Sequence, residues 1–213
     1  MSKSLFITFE GGEGSGKTTI IERVKTALEE KKKEVVTTRE PGGVALGEAV
    51  RKIVLESSEP VAPIAELLLF LAARAQHVEE KIKPAINARK VVLCDRFTDS
   101  TLAYQGFARG LGIEALVPIC RMAASSLEPD LTIYLDIAPE VGLERAKNAR
   151  KEEKSDRIEI ETIAFHQKVR EGFLALAERS PTRIVTIDAS QDLEKVVEQV
   201  MKQISEHVNA LNS

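Results

Sequence analysis

The sequence has no tryptophan, only two tyrosines and two cysteines, and no excess of basic charge. With 30% of residues charged and no tryptophan, the surface is expected to be well solvated. The formal net charge of −3 excludes broad attraction to nucleic acid or to an anionic membrane, though not a local basic pocket. Cys94 and Cys120 are too far apart in sequence to form a ligand-spaced pair, so two reduced thiols are expected. No apolar run reaches membrane-spanning length; the longest, around 67–73, is interrupted by Arg74. The first apolar run is only a strand long and lacks a signal-peptide layout, so a cytoplasmic location is expected. There is no internal repeat, low-complexity tract or linker. One domain over residues 1–213 is expected, and 43% hydrophobic residues suffice for its core.

What is present begins with Gly11-Gly12-Glu13-Gly14-Ser15-Gly16-Lys17-Thr18, followed by Thr19. It fits G-x-x-x-x-G-K-[ST], lies behind the apolar run Leu5-Phe6-Ile7-Thr8-Phe9 and precedes a helical pattern. Glycines let the backbone curl and aim several N–H groups at one anion. The helix that starts there adds the positive end of its dipole. Lys17 brings a full charge to the outer phosphates, and the Thr18 hydroxyl suits a magnesium ion that bridges them. A plain glycine turn could share the composition, but the strand before and the helix after are the required context.

Along the chain, strands are predicted at 5–9, 34–38, 91–94, 131–135 and 183–187. Helices are predicted to about 30, over 46–55, 62–82, 98–107, 113–125 and 139–147, then to about 179. The 62–82 helix is apolar almost all round through Ala73, which predicts burial, and Pro84 is expected to bend or end it. A last helix carries Leu193, Val196, Val197, Val200 and Ile204 on one face, with Ser190 as its expected N-cap. The alternation predicts a three-layer α/β fold with a parallel sheet. Ligands then bind at the C-terminal strand ends, where Glu10, Arg39, Asp95, Arg96 and Asp136 fall.

Three constellations carry chemistry. Asp95 ends an apolar strand, where a second magnesium-side carboxylate is expected, and Arg96 beside it can fork onto a phosphate. Phe70 and Arg74 lie four apart on a mostly apolar helix. A guanidinium there needs acceptors, either a heterocyclic base with a π-face for Phe70 or a protein carboxylate. Between Arg145 and Arg157 the chain holds Lys147, Arg150, Lys151 and Lys154 interleaved with acidic residues, which is either a solvated charged face or a lid over phosphates. None of the variable loop positions is basic, so another segment must supply transition-state charge beyond Lys17, which favours a lid at about 146–158.

Phe9-Glu10-Gly11, Thr38-Arg39-Glu40-Pro41-Gly42-Gly43, Phe70-Leu71-Ala72-Ala73-Arg74, Asp95-Arg96-Phe97, the run Ser100-Thr101-Leu102-Ala103-Tyr104-Gln105-Gly106 and Asp156-Arg157-Ile158-Glu159 together resemble the thymidylate kinases, the dTMP-phosphorylating branch of the nucleoside monophosphate kinases. The resemblance runs from the first strand to Asp188-Ala189-Ser190. It implies transfer of a phosphoryl group from ATP to dTMP with Mg²⁺, feeding dTTP synthesis, by a homodimer with a five-stranded P-loop sheet ordered 2-3-1-4-5. It implies that Phe70 stacks on thymine, that Arg74 bonds its carbonyl edge, that Gln105 also lies at the base, and that Tyr104 sits by the sugar with Ser100 and Thr101 nearby. Glu10 would face the sugar hydroxyl or the metal, and Arg39 and Arg96 the acceptor phosphate. Arg145 and the backbone at Ala189 would flank adenine. Phe97 stands where the family commonly has Tyr, and the lid is mixed rather than arginine-dense. Arg150, then Arg157, is the expected transition-state arginine.

Overall fold

Every residue of β1 (Leu5–Glu10) is buried, because both faces of this strand are covered. The computed structural model describes residues 4–57, 59–149 and 156–212. Its sheet has five parallel strands ordered β2 (Val35–Arg39), β3 (Val91–Asp95), β1, β4 (Leu131–Asp136) and β5 (Ile184–Asp188). That is the predicted order 2-3-1-4-5. The registers Phe9↔Asp95 and Arg39↔Asp95 put the ends of β1, β2 and β3 level with one another.

Period-two alternation divides β1 between two layers. Leu5, Ile7 and Phe9 pack with α1 (Lys17–Glu30) and α9 (Leu193–Asn212). Phe6 packs on the opposite side with Val78, Ile82 and Phe97, and the ring of Phe97 meets it edge-on at 5.1 Å. That layer also holds α2 (Ala45–Leu55), α3 (Pro63–His77), α6 (Ile113–Ala123) and α8 (Ile163–Arg179), packed in one cluster around Leu71, Tyr104 and Phe173. A short α7 (Pro139–Ala149) follows β4.

Four expectations change. Pro84 does not end its helix: α3 runs into a π-helical turn, Val78–Ile82, and on through α4 (Lys83–Asn87). Pro84 falls in the first turn of α4, just after the wider turn has shifted the hydrogen-bond register, where its missing N–H is tolerated. α3 is not buried all round, since Ile64 and Leu68 stay 54% and 58% exposed on the side away from the sheet. The helix predicted over 98–107 is one α-turn, α5 (Thr98–Thr101), followed by a π-helical segment, Leu102–Ala108. Ser190 does not cap α9; its N–H and hydroxyl both donate to Asp188, and the helix begins after Asp192, whose carbonyl accepts from Val196.

Candidate active site

The loop between β1 and α1 closes on itself. Gly16 holds φ at 85°, a left-handed value that a side chain disfavours, and hands the chain directly into α1. The Lys17 ammonium reaches back to the carbonyls of Gly11 (3.1 Å) and Gly12 (3.0 Å) and to the Ser15 hydroxyl (3.3 Å). Burial, followed by the nearby charge of Arg96, lowers the Lys17 pKa. Thr18 Oγ1 lies 3.5 Å from Asp95 Oδ2, across the step from β1 to β3.

That step builds the rest of the site. Arg96 follows β3 with φ at 66° and donates its backbone N–H to Phe9. Its side chain then crosses under the loop, donating to the Gly11 carbonyl at 3.0 Å and to Glu13 at 2.7 Å, with its charge 5.0 Å above the Tyr104 ring. Burial works against the Glu13 carboxylate, but Arg96, Lys17 and the Tyr104 hydroxyl together hold its pKa below the usual value.

One cavity of about 580 Å³ joins these groups to the α3 side. Its wall includes Glu13, Gly14, Ser15, Gly16, Lys17, Thr18 and Thr19 at one end. Arg39, Phe70, Arg74, Asp95, Arg96, Ser100, Thr101, Tyr104 and Gln105 also line it. Arg74 is 3% exposed and meets a protein carboxylate, one of the two acceptors read from the sequence. Its Nε donates to Glu40 at 2.7 Å and its Nη2 to the Phe97 carbonyl at 2.9 Å, while Nη1 is buried without a partner. Glu40 also meets His77 Nδ1 at 2.9 Å, so a polar chain runs from Arg74 to Thr38 beneath the cavity.

Several predicted residues stand elsewhere. Glu10 is fully buried and does not line the cavity; it accepts from the Phe97 N–H and the Ser100 hydroxyl and so holds the wall from behind. Its pKa is raised to about 7, mainly by burial and then by the charge of Asp99. Arg145 donates to the carbonyls of Ala189 (2.8 Å) and Ser190 (3.2 Å), bringing together the two groups expected around adenine, at the edge of β5. Arg157 does not point into the cavity. Its Nε donates to the Val54 carbonyl at 2.9 Å and its Nη2 to Glu66, which ties the chain after the expected lid to α2 and α3. Arg150, with Lys151 and Lys154, lies outside the described residues.

Sequence reasoning missed Glu40, Arg51 and Glu66. Arg51 lines the cavity from α2, and burial together with Arg39 lowers its pKa. Arg39, which also pairs with Glu48 at 3.0 Å, and Arg96 therefore both repel Arg51 beside a space that an anion would neutralise. Nothing in an amphipathic helix marks one arginine as the inward one.

A 2-3-1-4-5 parallel sheet with its glycine-rich loop, the lysine at the head of α1 and the strand-end aspartate defines a P-loop kinase. The thymidylate kinase family model matches residues 9–200. The chain belongs to the thymidylate kinase family. It is 47% identical over 210 residues to the thymidylate kinase of Protochlamydia amoebophila (strain UWE25), covering 96% of this chain and 93% of that protein. It is 49% identical over 206 residues to that of Bacillus cereus (strain Q1), covering 96% and 98%. The crystal structure of thymidylate kinase from Ehrlichia chaffeensis superposes with a TM-score of 0.77 at 33% identity, covering 95% of this chain and 99% of that one.

Proposed function

We propose that this chain transfers the terminal phosphoryl group of ATP to dTMP, giving ADP and dTDP. The observation that carries the reading is that the phosphate loop and Arg74, whose buried Nη1 has no hydrogen-bond partner, line one cavity. A guanidinium N–H there requires an acceptor, and O4 of thymine is one, with Phe70 beside it as a stacking face.

The acceptor is a phosphate oxygen that is already anionic, so the reaction needs positioning and charge neutralisation rather than a base. Arg39, Arg51 and Arg96 converge where the acceptor phosphate must lie, and Lys17 serves the donor side. Arg145 and the Ala189 backbone frame adenine. Asp95 Oδ1 is buried without a partner, and Thr18 stands beside the same carboxylate. One hydroxyl and one carboxylate fit Mg²⁺, which keeps several waters and shares phosphate oxygens. These two residues would hold the ion, and its chemistry there would be charge neutralisation between the phosphate chains. Arg150 remains the candidate to stabilise the transferring group, since the Arg157 guanidinium is held by Val54 and Glu66.

The assembly follows the same reading. Ile53, Ile64, Leu68, Val117 and Met122 are exposed on α2, α3 and α6, and α3 packs against both other helices. Such a face supports a homodimer. No helix is long and apolar enough to cross a membrane among the described residues, and a cytoplasmic location fits the reaction.

The test is ADP release measured with a panel of dTMP, dUMP, dCMP, dGMP and thymidine. Turnover that requires dTMP supports the assignment. Preference for another acceptor would make the chain a kinase of different specificity. Equal ATP turnover with no acceptor would make it a regulatory NTPase.

A further inference from the structure

Glu66, Phe70 and Arg74 follow one another at four-residue intervals along α3, so one face of that helix carries all three. Phe70 and Arg74 line the cavity, whereas Glu66 lies behind the wall, with none of its surface exposed. Two guanidiniums converge on it. Arg109 reaches both carboxylate oxygens at 3.3 Å, and Arg157 Nη2 donates to Oε2. The remaining partner is Gln105, whose Nε2 donates to Oε1 at 2.8 Å. Gln105 is itself buried and lines the cavity.

The charge state of Glu66 decides what Gln105 can show to a ligand. An ionised carboxylate only accepts hydrogen bonds. Burial alone would raise the Glu66 pKa, but Arg157, Gln105 and Arg109 together lower it, so the group stays ionised at neutral pH. Gln105 must then turn its NH₂ towards Glu66, whichever way an unconstrained amide would rotate. The edge left for the cavity is the carbonyl oxygen, an acceptor. Arg74 lines the same cavity and has one N–H, on Nη1, without a hydrogen-bond partner, so it is the donor that the ligand's base would meet.

We propose that Glu66 is the specificity-positioning residue of the acceptor site: by fixing the amide of Gln105, it selects a pyrimidine with an N–H at ring position 3. The proposal rests on the dTMP reading above. Thymine offers a donor at N3 and an acceptor at O4, matching Gln105 and Arg74. Cytosine offers an acceptor at N3 and a donor at its amino group, so both contacts become like against like. Sites built on buried hydrogen-bond partners reject mismatched ligands strongly. Arg109 keeps the carboxylate charged from the position just after the π-helical segment that carries Gln105, and its contact with Glu161 at 2.5 Å fixes it in turn. The Asp156–Arg157 turn closes the arrangement, since the Arg157 N–H also donates to Leu55 at 3.0 Å.

The experiment compares kcat/KM for dTMP and dCMP, with ATP saturating, in the wild type and in Glu66→Gln. A neutral amide at 66 can either donate or accept, which frees Gln105 to turn over. The expected result is a dTMP/dCMP ratio lowered about tenfold or more, with the KM for ATP changed by less than about twofold. If both substrates lose activity in the same proportion, Glu66 is only structural and the proposal is overturned. If the variant does not fold, ¹⁵N spectra of the wild type decide. The Gln105 side-chain NH₂ should be protected from exchange before dTMP is added and unchanged after it. Protection that appears only with dTMP would overturn the proposal. A wild type that does not phosphorylate dTMP overturns the functional reading and this proposal together. An unchanged ratio in an active Glu66→Gln enzyme removes the assignment to Glu66 alone.

Discussion

Arg96 and Glu13 form a 2.7 Å ion pair that joins the phosphate loop to the end of β3. Both side chains are only 17% exposed, and the Gly11 carbonyl takes a second N–H of the same guanidinium. A forked cation therefore stands between the donor loop and the acceptor arginines. Lysine has one point charge and cannot make both contacts while still facing a phosphate. Arg96→Lys is expected to lower kcat about 10²- to 10³-fold with little change in the KM for ATP, read by steady-state kinetics. A kcat within a factor of two of wild type would remove Arg96 from the transition state.

Lys17 makes its hydrogen bonds to its own loop. Removing it leaves no distant element without a partner. Lys17→Ala is expected to cut turnover by about 10²-fold or more while the melting temperature moves by less than about 3 °C. Calorimetry and an ADP-release assay on the same sample check both halves.

Arg74 holds two tasks at once, which makes its loss a compound event. Its Nη1, which has no hydrogen-bond partner, is the donor proposed for the base, and its Nε neutralises the buried Glu40. Arg74→Ala should raise the KM for dTMP far more than that for ATP and should cost about 3 kcal/mol of stability, because Glu40 keeps only His77. Denaturant titration measures the second effect. Equal changes in the two KM values would refute the base contact.

The residues that the sequence made legible are those fixed by the local chain. The glycine curl, its lysine and the strand-end pair Asp95-Arg96 stand where the alternation of strands and helices placed them. Glu40, Arg51 and Glu66 were not legible: Glu40 and Glu66 acquire their roles from partners far along the chain, Arg74 for the one and Gln105 and Arg157 for the other, and Arg51 acquires its role from the inward face that its helix presents to the cavity. Arg157 shows the same limit from the other side. Its place in a charged stretch suggested a phosphate contact, but the carbonyl of Val54 and the carboxylate of Glu66 outcompete solvent for its guanidinium. The two π-helical turns were also invisible, since apolar spacing does not separate an i→i+5 register from an α-helical one over so few residues.

Glu10 predicts a pH dependence of stability. Its pKa rises from 4.5 in the unfolded chain to about 7 in the fold, by burial and then by Asp99. Between those values the native state holds more protons than the unfolded state, so stability falls as pH rises through that window. Below it the group contributes nothing; above it the full cost, roughly 3 kcal/mol, is present. Wild-type stability relative to Glu10→Gln should thus fall by about that amount between pH 4.5 and pH 7.5 in urea titrations. A difference that stays flat, or rises, would show that Glu10 is not held as a largely desolvated carboxyl.

The donor side depends on a backbone contact between the phosphate loop and α7. A Cβ on Gly142 would lie 2.3 Å from the Glu13 carbonyl oxygen, and one on Gly14 would lie 1.9 Å from the Gly142 carbonyl. Backbone cannot yield as a flexible side chain does, so even one methyl must push α7 off the loop. The same helix carries Arg145 to Ala189 at the adenine end. Gly142→Ala should therefore act on one substrate only. The KM for ATP is expected to rise about tenfold, while the KM for dTMP, set from β3, α3 and the π-helical segment, changes by less than about twofold. Overpacking should also cost about 1–3 kcal/mol of stability. Calorimetric titration with ADP separates affinity from turnover. If ADP binds Gly142→Ala as tightly as it binds the wild type, the docking of α7 on the loop has no part in seating the donor nucleotide.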